Sequence, residues 1–323
     1  MIVHPAIAAL RGSPTPQRCA AQADAETIAQ VKSRWMSQSG VKAVQADLRR
    51  YARGAALEDC QELAALIRDH ARAKRFVNGI CTRIIAALTA QPLCEVPFRY
   101  TVSRGLSTLQ LLQEGTAKLT VSAYEPVADI QVPDSAMFAD RDTVEMVVSG
   151  SAQGAFHSVD DDGKLNTTST PWGAGDCIEA RPLCEARQII SVETPLVMLQ
   201  LVREPKSPAP TREVSLNDGR VLRAASGDKS ASRAVMALGV LGALGDAPAL
   251  DAMGQTARNR AEDAQVRWEA VRQILGMDAR LGMAMLCELS ACPADPLSAE
   301  AGGLKQRLLT SQPELRQIIK EPA

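Results

Sequence analysis

His4, His70 and His157 are the three imidazoles of this 323-residue chain, and no two lie near each other in sequence. An imidazole-based metal shell needs several histidines converging on one ion. A mixed site of His157 with Cys177 and Cys184 has ligands soft enough for zinc, but its spacings fit no standard zinc motif. The eight cysteines form no CxxC pair and read as buried thiols of a reducing compartment. Cys287 and Cys292 lie five apart on an expected helix end, where packing explains them. The acidic loop VDDDGK has the composition of a calcium loop but lacks its alternate-position oxygens and distal Glu, so it reads as a solvated hairpin turn. There is no GxxxxGK[ST], no GxGxxG and no nucleophile elbow. His157 is either a base or ligand inside a β module or a strand-end surface histidine beside Asp160–Asp162. Trp172 is either a stacking wall for a ligand or an apolar plug in a turn. Glu145, Arg181 and Arg187 are charges on strand-like runs.

These residues lie in a β-rich stretch from about Asp142 to Glu204, where strand-length apolar runs alternate with Gly, Asp-Gly and Pro punctuation. β character begins earlier, after Glu95. Leu119, Val121 and Ala123 alternate with Lys118, Thr120 and Ser122, which predicts one buried face and one wet face. Counted from Phe98, roughly eight or nine strands are expected, enough for a closed barrel or jelly roll.

Helices flank this module. Residues 1–23, with three prolines, read as a loose tail rather than a signal peptide. Asp24 suits an N-cap, and amphipathic runs follow, one ending at Gly54 and another beginning at Leu57. The clearest helix carries Phe76, Val77, Ile80, Cys81, Ile84, Ile85 and Leu88 before Pro92 stops it. EPKSPAPTRE (204–213) is the best linker, and a hairpin is expected around Asn217-Asp218-Gly219. From Ser230 onward the pattern is helical, with Val235, Leu238, Leu241 and Leu244 on one stripe. An offset of 31 lays Val240 on Val271, Leu244 on Leu275, Gly245 on Gly276 and Leu250 on Leu281, suggesting stacked helical hairpins.

The segment Gly150–Val202 resembles the core of a cupin, a double-stranded β-helix barrel. The resemblance rests on the Val147–Gly150 turn, the GAGD turn at Gly173–Asp176 and the run IISVETPLVMLQLV, and covers about 100 residues. DAQVRWEAVRQILGMDARLGMAML resembles a HEAT-type repeat. Metal-binding cupins use three histidines and a glutamate. At the matching places this chain reads FADRD (Phe138–Asp142) and Ala186–Arg187. The resemblance therefore implies a metal-free barrel with no cofactor. In such a barrel Glu145, Arg181 and Arg187 either face the cavity and bind an anionic or polar ligand, or point outward on alternate strand positions.

The resulting expectation is an α+β protein. A disordered tail (1–23) precedes an N-terminal helical segment (24–92), a central cupin-like β barrel (93–204), a linker and hairpin (205–229) and a C-terminal helical, HEAT-like domain (230–323). The 36 basic and 37 acidic residues cancel, so nothing draws the chain to nucleic acid or an anionic membrane. With no apolar stretch of membrane-spanning length, cytoplasmic is the expected location. The favoured function is a non-catalytic binding or scaffold protein that engages a protein partner or a second copy of itself. The alternatives are a metal-independent enzyme or small-molecule sensor using Glu145, His157, Arg181 and Arg187, and a zinc or iron cupin with unusual ligands.

Overall fold

The computed structural model describes residues 28–90, 94–127, 132–160 and 162–320. The expected tail, the Asp24 cap and His4 lie outside them. The chain forms two compact units, one reaching to Lys206 and including Arg212–Arg223, the other made of Ser207–Thr211 and the residues from Ala224 onward. The whole is α+β with antiparallel sheets.

The first unit opens with helices whose apolar residues recur at three-and-four spacing. Helix α1 covers 28–36. Helix α2 (Ser39–Ala52) buries Val41, Val44, Leu48 and Tyr51. Helix α3 (Gln61–Arg68) buries Leu63, Leu66 and Ile67, starting four residues later than the expected Leu57. Helix α4 (His70–Ala90) buries Ala73, Val77, Ile80 and Ile84. Eight residues are too few to hold α3 as an isolated helix. Burying each of its large side chains contributes roughly 1.5–3 kcal/mol, and that burial keeps it folded.

The helices bury these stripes against strands. Eight strands follow: β1 (Arg99–Ser103), β2 (Leu106–Glu114), β3 (Ala117–Tyr124), β4 (Ser135–Phe138), β5 (Asp142–Val159), β6 (Leu165–Gly173), β7 (Cys177–Ala180) and β8 (Glu185–Arg203). All except β4 join one antiparallel sheet in the order β1-β2-β3-β8-β5-β6, with β7 also on β5. Strands β9 (Thr211–Ser215) and β10 (Val221–Ala225) form a second sheet with β4, in the order β10-β9-β4. Leu119, Val121, Val144, Met146, Val148, Leu199 and Leu201 lie in one core with the helices. Arg203 fastens the two layers. It donates to Asp142 at 2.7 and 2.9 Å and to the Tyr51 and Ala55 carbonyls at 3.2 and 2.9 Å.

The opposite sheet face holds a second core of Val147, Ala152, Trp172, Ile178, Leu196 and Met198. The expected wet face of β3 is thus partly enclosed, and Ser122 is buried. This second core exists because β5 and β8, 18 and 19 residues long, bend together. Their register slips between Val147 and Ser149 and again as far as Gly154. Each bulge adds local twist and shifts which residues face inward. Gly150 sits at the bend with φ +88°, and a Cβ there would lie 2.1 Å from the Pro195 carbonyl oxygen. Gly154 lies under the Trp172 indole, whose nearest atoms would be 2.3 Å from a Cβ.

In the second unit, helices α5 (Lys229–Leu244), α6 (Ala249–Arg258), α7 (Ala264–Met277), α8 (Ala279–Ser290), α9 (Ser298–Ser311) and α10 (Leu315–Lys320) bury Val266, Ala270, Val271, Ile274, Met283 and Leu286. Asp228, Asp263 and Asp278 cap α5, α7 and α8 through side-chain oxygens. Arg267 and Asp295 form a buried bidentate pair at 2.7 and 3.1 Å. Hydrogen bonds from Arg267 hold the Asp295 carboxyl below the usual carboxylate range. The 31-residue offset reproduces the helix order but not the burial. Val271 is fully buried whereas Val240 is 60% exposed. Leu244, expected on the buried stripe with Leu238, is exposed as well.

Replacing Gly150 by Ala adds a Cβ against the Pro195 carbonyl at a left-handed φ, so Gly150→Ala is expected to lose about 2–4 kcal/mol of stability. Urea unfolding checks this; an unchanged midpoint means the bend does not depend on Gly150.

Candidate functional site

Glu145 lies near the start of β5, opposite Gln200 of β8. It is 1% exposed. Arg187 lies near the other end of the same strand pair, opposite Phe156. Phe156 stands eleven residues beyond Glu145 on β5, roughly 36 Å along a straight strand. Because the pair bends back, Arg187 nevertheless makes a two-pronged ion pair with Glu145 through Nε and Nη2. Nη2 also donates to the Tyr124 hydroxyl at 3.3 Å, and Gln200 Nε2 donates to Glu145 Oε1 at 2.7 Å. The guanidinium carbon lies 6.0 Å from the Trp172 ring centre and 5.9 Å from that of Tyr124. Burial by itself would lower the Arg187 pKa. The charge and hydrogen bonds of Glu145, with Tyr124, reverse this, and the net shift is upward.

This cluster borders a cavity of about 300 Å³. Met137, Ala139, Arg141, Thr143, Arg187 and Gln200 are among its walls. The size is at the lower end for small-ligand sites. Glu185 is the cavity wall's carboxylate, and it accepts from the Arg181 backbone N–H at 2.8 Å and Nε at 2.7 Å.

The five residues singled out from the sequence are thus divided. Glu145, Arg187 and Trp172 come together, and the outward-facing alternative for Glu145 and Arg187 is overturned by their burial. Arg181 lies outside the cavity wall, its side chain 72% exposed and paired with Glu185. His157 is no surface histidine, being 1% exposed. It stands opposite Ala186, one residue from Arg187, so it occupies the other face of the sheet. Its Nδ1 and Nε2 are bonded to Thr167 Oγ1 (2.9 Å) and Gln188 Oε1 (3.3 Å). Gln188 then donates to the Pro133 carbonyl at 2.9 Å. Burial pushes the His157 pKa down, with Gln188 opposing.

Sequence reading missed Tyr124, Arg141, Thr143 and Gln200. Tyr124, Thr143 and Gln200 on strands and Arg141 in the turn before β5 carried no signal of convergence, because the bend that brings them together is tertiary. The Cys177 thiol approaches the Ile67 carbonyl at 3.9 Å, on the helix side of the sheet. Among the described residues, no three His, Cys, Asp or Glu side chains are grouped to hold a metal ion.

No protein-family model and no curated protein matches the chain. Solved structures do match over about a third of it. An RmlC-like cupin from Shewanella frigidimarina is 12% identical over 34% of this chain and 86% of its own, with TM-score 0.25. The Drosophila melanogaster CENP-C cupin domain is 13% identical over 32% and 74%, with TM-score 0.27. The capsular polysaccharide assembling protein CapF from Staphylococcus aureus is 18% identical over 37% and 34%, with TM-score 0.26. The chain therefore spans about a third of CapF. At these scores no residue role is transferred.

Removing one partner of a buried ion pair strands the other charge. Glu145→Gln is expected to lose about 3–5 kcal/mol, and the double variant Glu145→Gln/Arg187→Met to recover most of it. Chemical denaturation of the three proteins checks this; a double variant as unstable as the single one refutes the pairing argument. His157 has its folded pKa below its ordinary value of 6.5, so the unfolded chain binds the extra proton first. Its contribution to stability is complete above about pH 6.5 and declines as pH falls below that value. His157→Gln is expected to flatten this decline in Tm against pH. Identical slopes in wild type and His157→Gln would refute it.

Proposed function

We propose that this chain is a non-catalytic binding protein whose cupin-like β layers hold a small ligand. The carrying observation is the Arg187 guanidinium beside the cavity, pinned by Glu145 and Tyr124 with Gln200 braced on Glu145. A guanidinium held rigidly loses little entropy on engaging a ligand. The arrangement favours binding over acid–base chemistry. Glu145 is consumed by Arg187 and Gln200, Glu185 by Arg181, and His157, outside the cavity wall, by Thr167 and Gln188. On this reading the barrel works without metal, its cupin-like shape serving as a receptor.

A thermal-shift screen of the full chain against a panel of small metabolites tests this. A ligand at a hundred times its Kd adds about 2.7 kcal/mol. The expected result is a stabilising compound whose effect disappears in Glu145→Gln/Arg187→Met. No stabilising compound, or an unchanged shift in that variant, overturns it.

The helical unit supports a second role, as a HEAT-like interaction surface. Ala234–Leu244 contains no polar side chain, and a helix that is apolar all round belongs inside a core. Yet Met236, Val240 and Leu244, four apart on α5, are 64%, 60% and 71% exposed. We propose that a second copy of the chain covers this stripe. Native mass measurement is expected to show a dimer that Val240→Asp converts to monomer; a monomeric wild type overturns it.

A further inference from the structure

We propose that the ligand is a small carboxylic acid in its ionised form, its carboxylate bridging the mostly buried Arg187 and the exposed Arg141 of the cavity wall. The inference rests on the binding reading above and adds the ligand's chemical class.

Two of the polar cavity walls are already engaged, largely by residues outside the wall. Glu185 is occupied by Arg181, and both Gln188 amide atoms are occupied by His157 and Pro133. What is left over is chiefly donor. Arg187 spends Nε and Nη2 on Glu145 and Tyr124, and its Nη1 has no partner among the described residues. The Arg141 side chain, exposed at the wall, has no ion-pair partner among them either. Thr143, 8% exposed, adds a hydroxyl. No buried side-chain nitrogen or oxygen lacks a partner among the described residues. These unspent donors therefore open to the cavity rather than into a sealed core.

The electrostatics agree. Arg187 is paired with Glu145 and Glu185 with Arg181, which leaves Arg141 as the charged wall residue with no ion-pair partner among the described residues. A carboxylate placed between the two guanidiniums gains charge-assisted hydrogen bonds, about twice as strong as neutral ones. Its isosteric amide gains no charge and brings an NH₂ that faces donors. The remaining walls, including Met137, Ala139, Ala180 and Ala186, suit a short aliphatic body. Inorganic phosphate has no such body and leaves that surface uncovered.

Isothermal titration calorimetry of the full chain with propionate, butyrate, their amides and inorganic phosphate tests the assignment. The acids are expected to bind at least about tenfold more tightly than the amides. Raising salt from about 50 to about 300 mM is expected to weaken the acids alone. Arg141→Gln, at an exposed position, is expected to keep the wild-type Tm and lose the acid preference. Equal affinity for acid and amide, or an undiminished preference in Arg141→Gln, overturns the carboxylate assignment while leaving a ligand cavity. Phosphate binding without binding of the acids overturns it in the same way. Absence of binding by acids and amides alike overturns it too, and the metabolite screen then decides separately whether the cavity binds anything.

Discussion

A buried ion pair between the two ends of one bent strand pair is the constraint on which the first unit depends. Glu145 and Arg187 lie far apart along β5 and β8 and meet only when the pair folds back. Isolated burial of either charge is prohibitively costly. The two charges therefore reach their buried positions together, in the bent state. The Gly150 backbone and the bulges around it make the bend possible. The space the bend encloses holds Trp172, Leu196 and Met198, with the cavity alongside Gln200 and Arg187.

The helices answer a different need. Bending exposes the convex face of the sheet, where Leu119, Met146, Leu199 and Leu201 would otherwise meet water. Helices α1 to α4 bury that face, and Trp35 anchors them through edge contacts with Phe76 and Phe98 at 5.3 and 6.0 Å. His70 adds a bond from α4 to the Val148 carbonyl at 2.9 Å, next to the bend. Cover and curvature are thus coupled. In the second unit the Arg267–Asp295 pair plays a comparable specifying part, with Arg267 also donating to the Ala257 carbonyl at 3.0 Å.

A cavity whose carboxylate is already engaged, with guanidinium donors left over, is suited to recognition. The rigid guanidinium of Arg187 provides direction, and the exposed Arg141 provides charge. His157 contributes from behind, through Gln188 to the Pro133 carbonyl at the cavity wall. The fold thus separates the residue that sets the wall from those that would meet a ligand.

How much of this was legible in the residues depended on the range of the interaction involved. The helical stripes of α2 and α4 and the strand-length runs follow from residue spacing. The sequence alone determined those. It also marked Glu145, Trp172 and Arg187 as candidates, since charges and a large aromatic ring on strands require explanation. Which way they point was decided only by the tertiary structure, because a single register slip reverses every side chain beyond it and no local pattern records that slip. For the same reason His157, one residue from the Phe156 that faces Arg187, ended buried on the opposite face. Arg141 and Thr143 gained their place at the cavity from the closing of one layer over another.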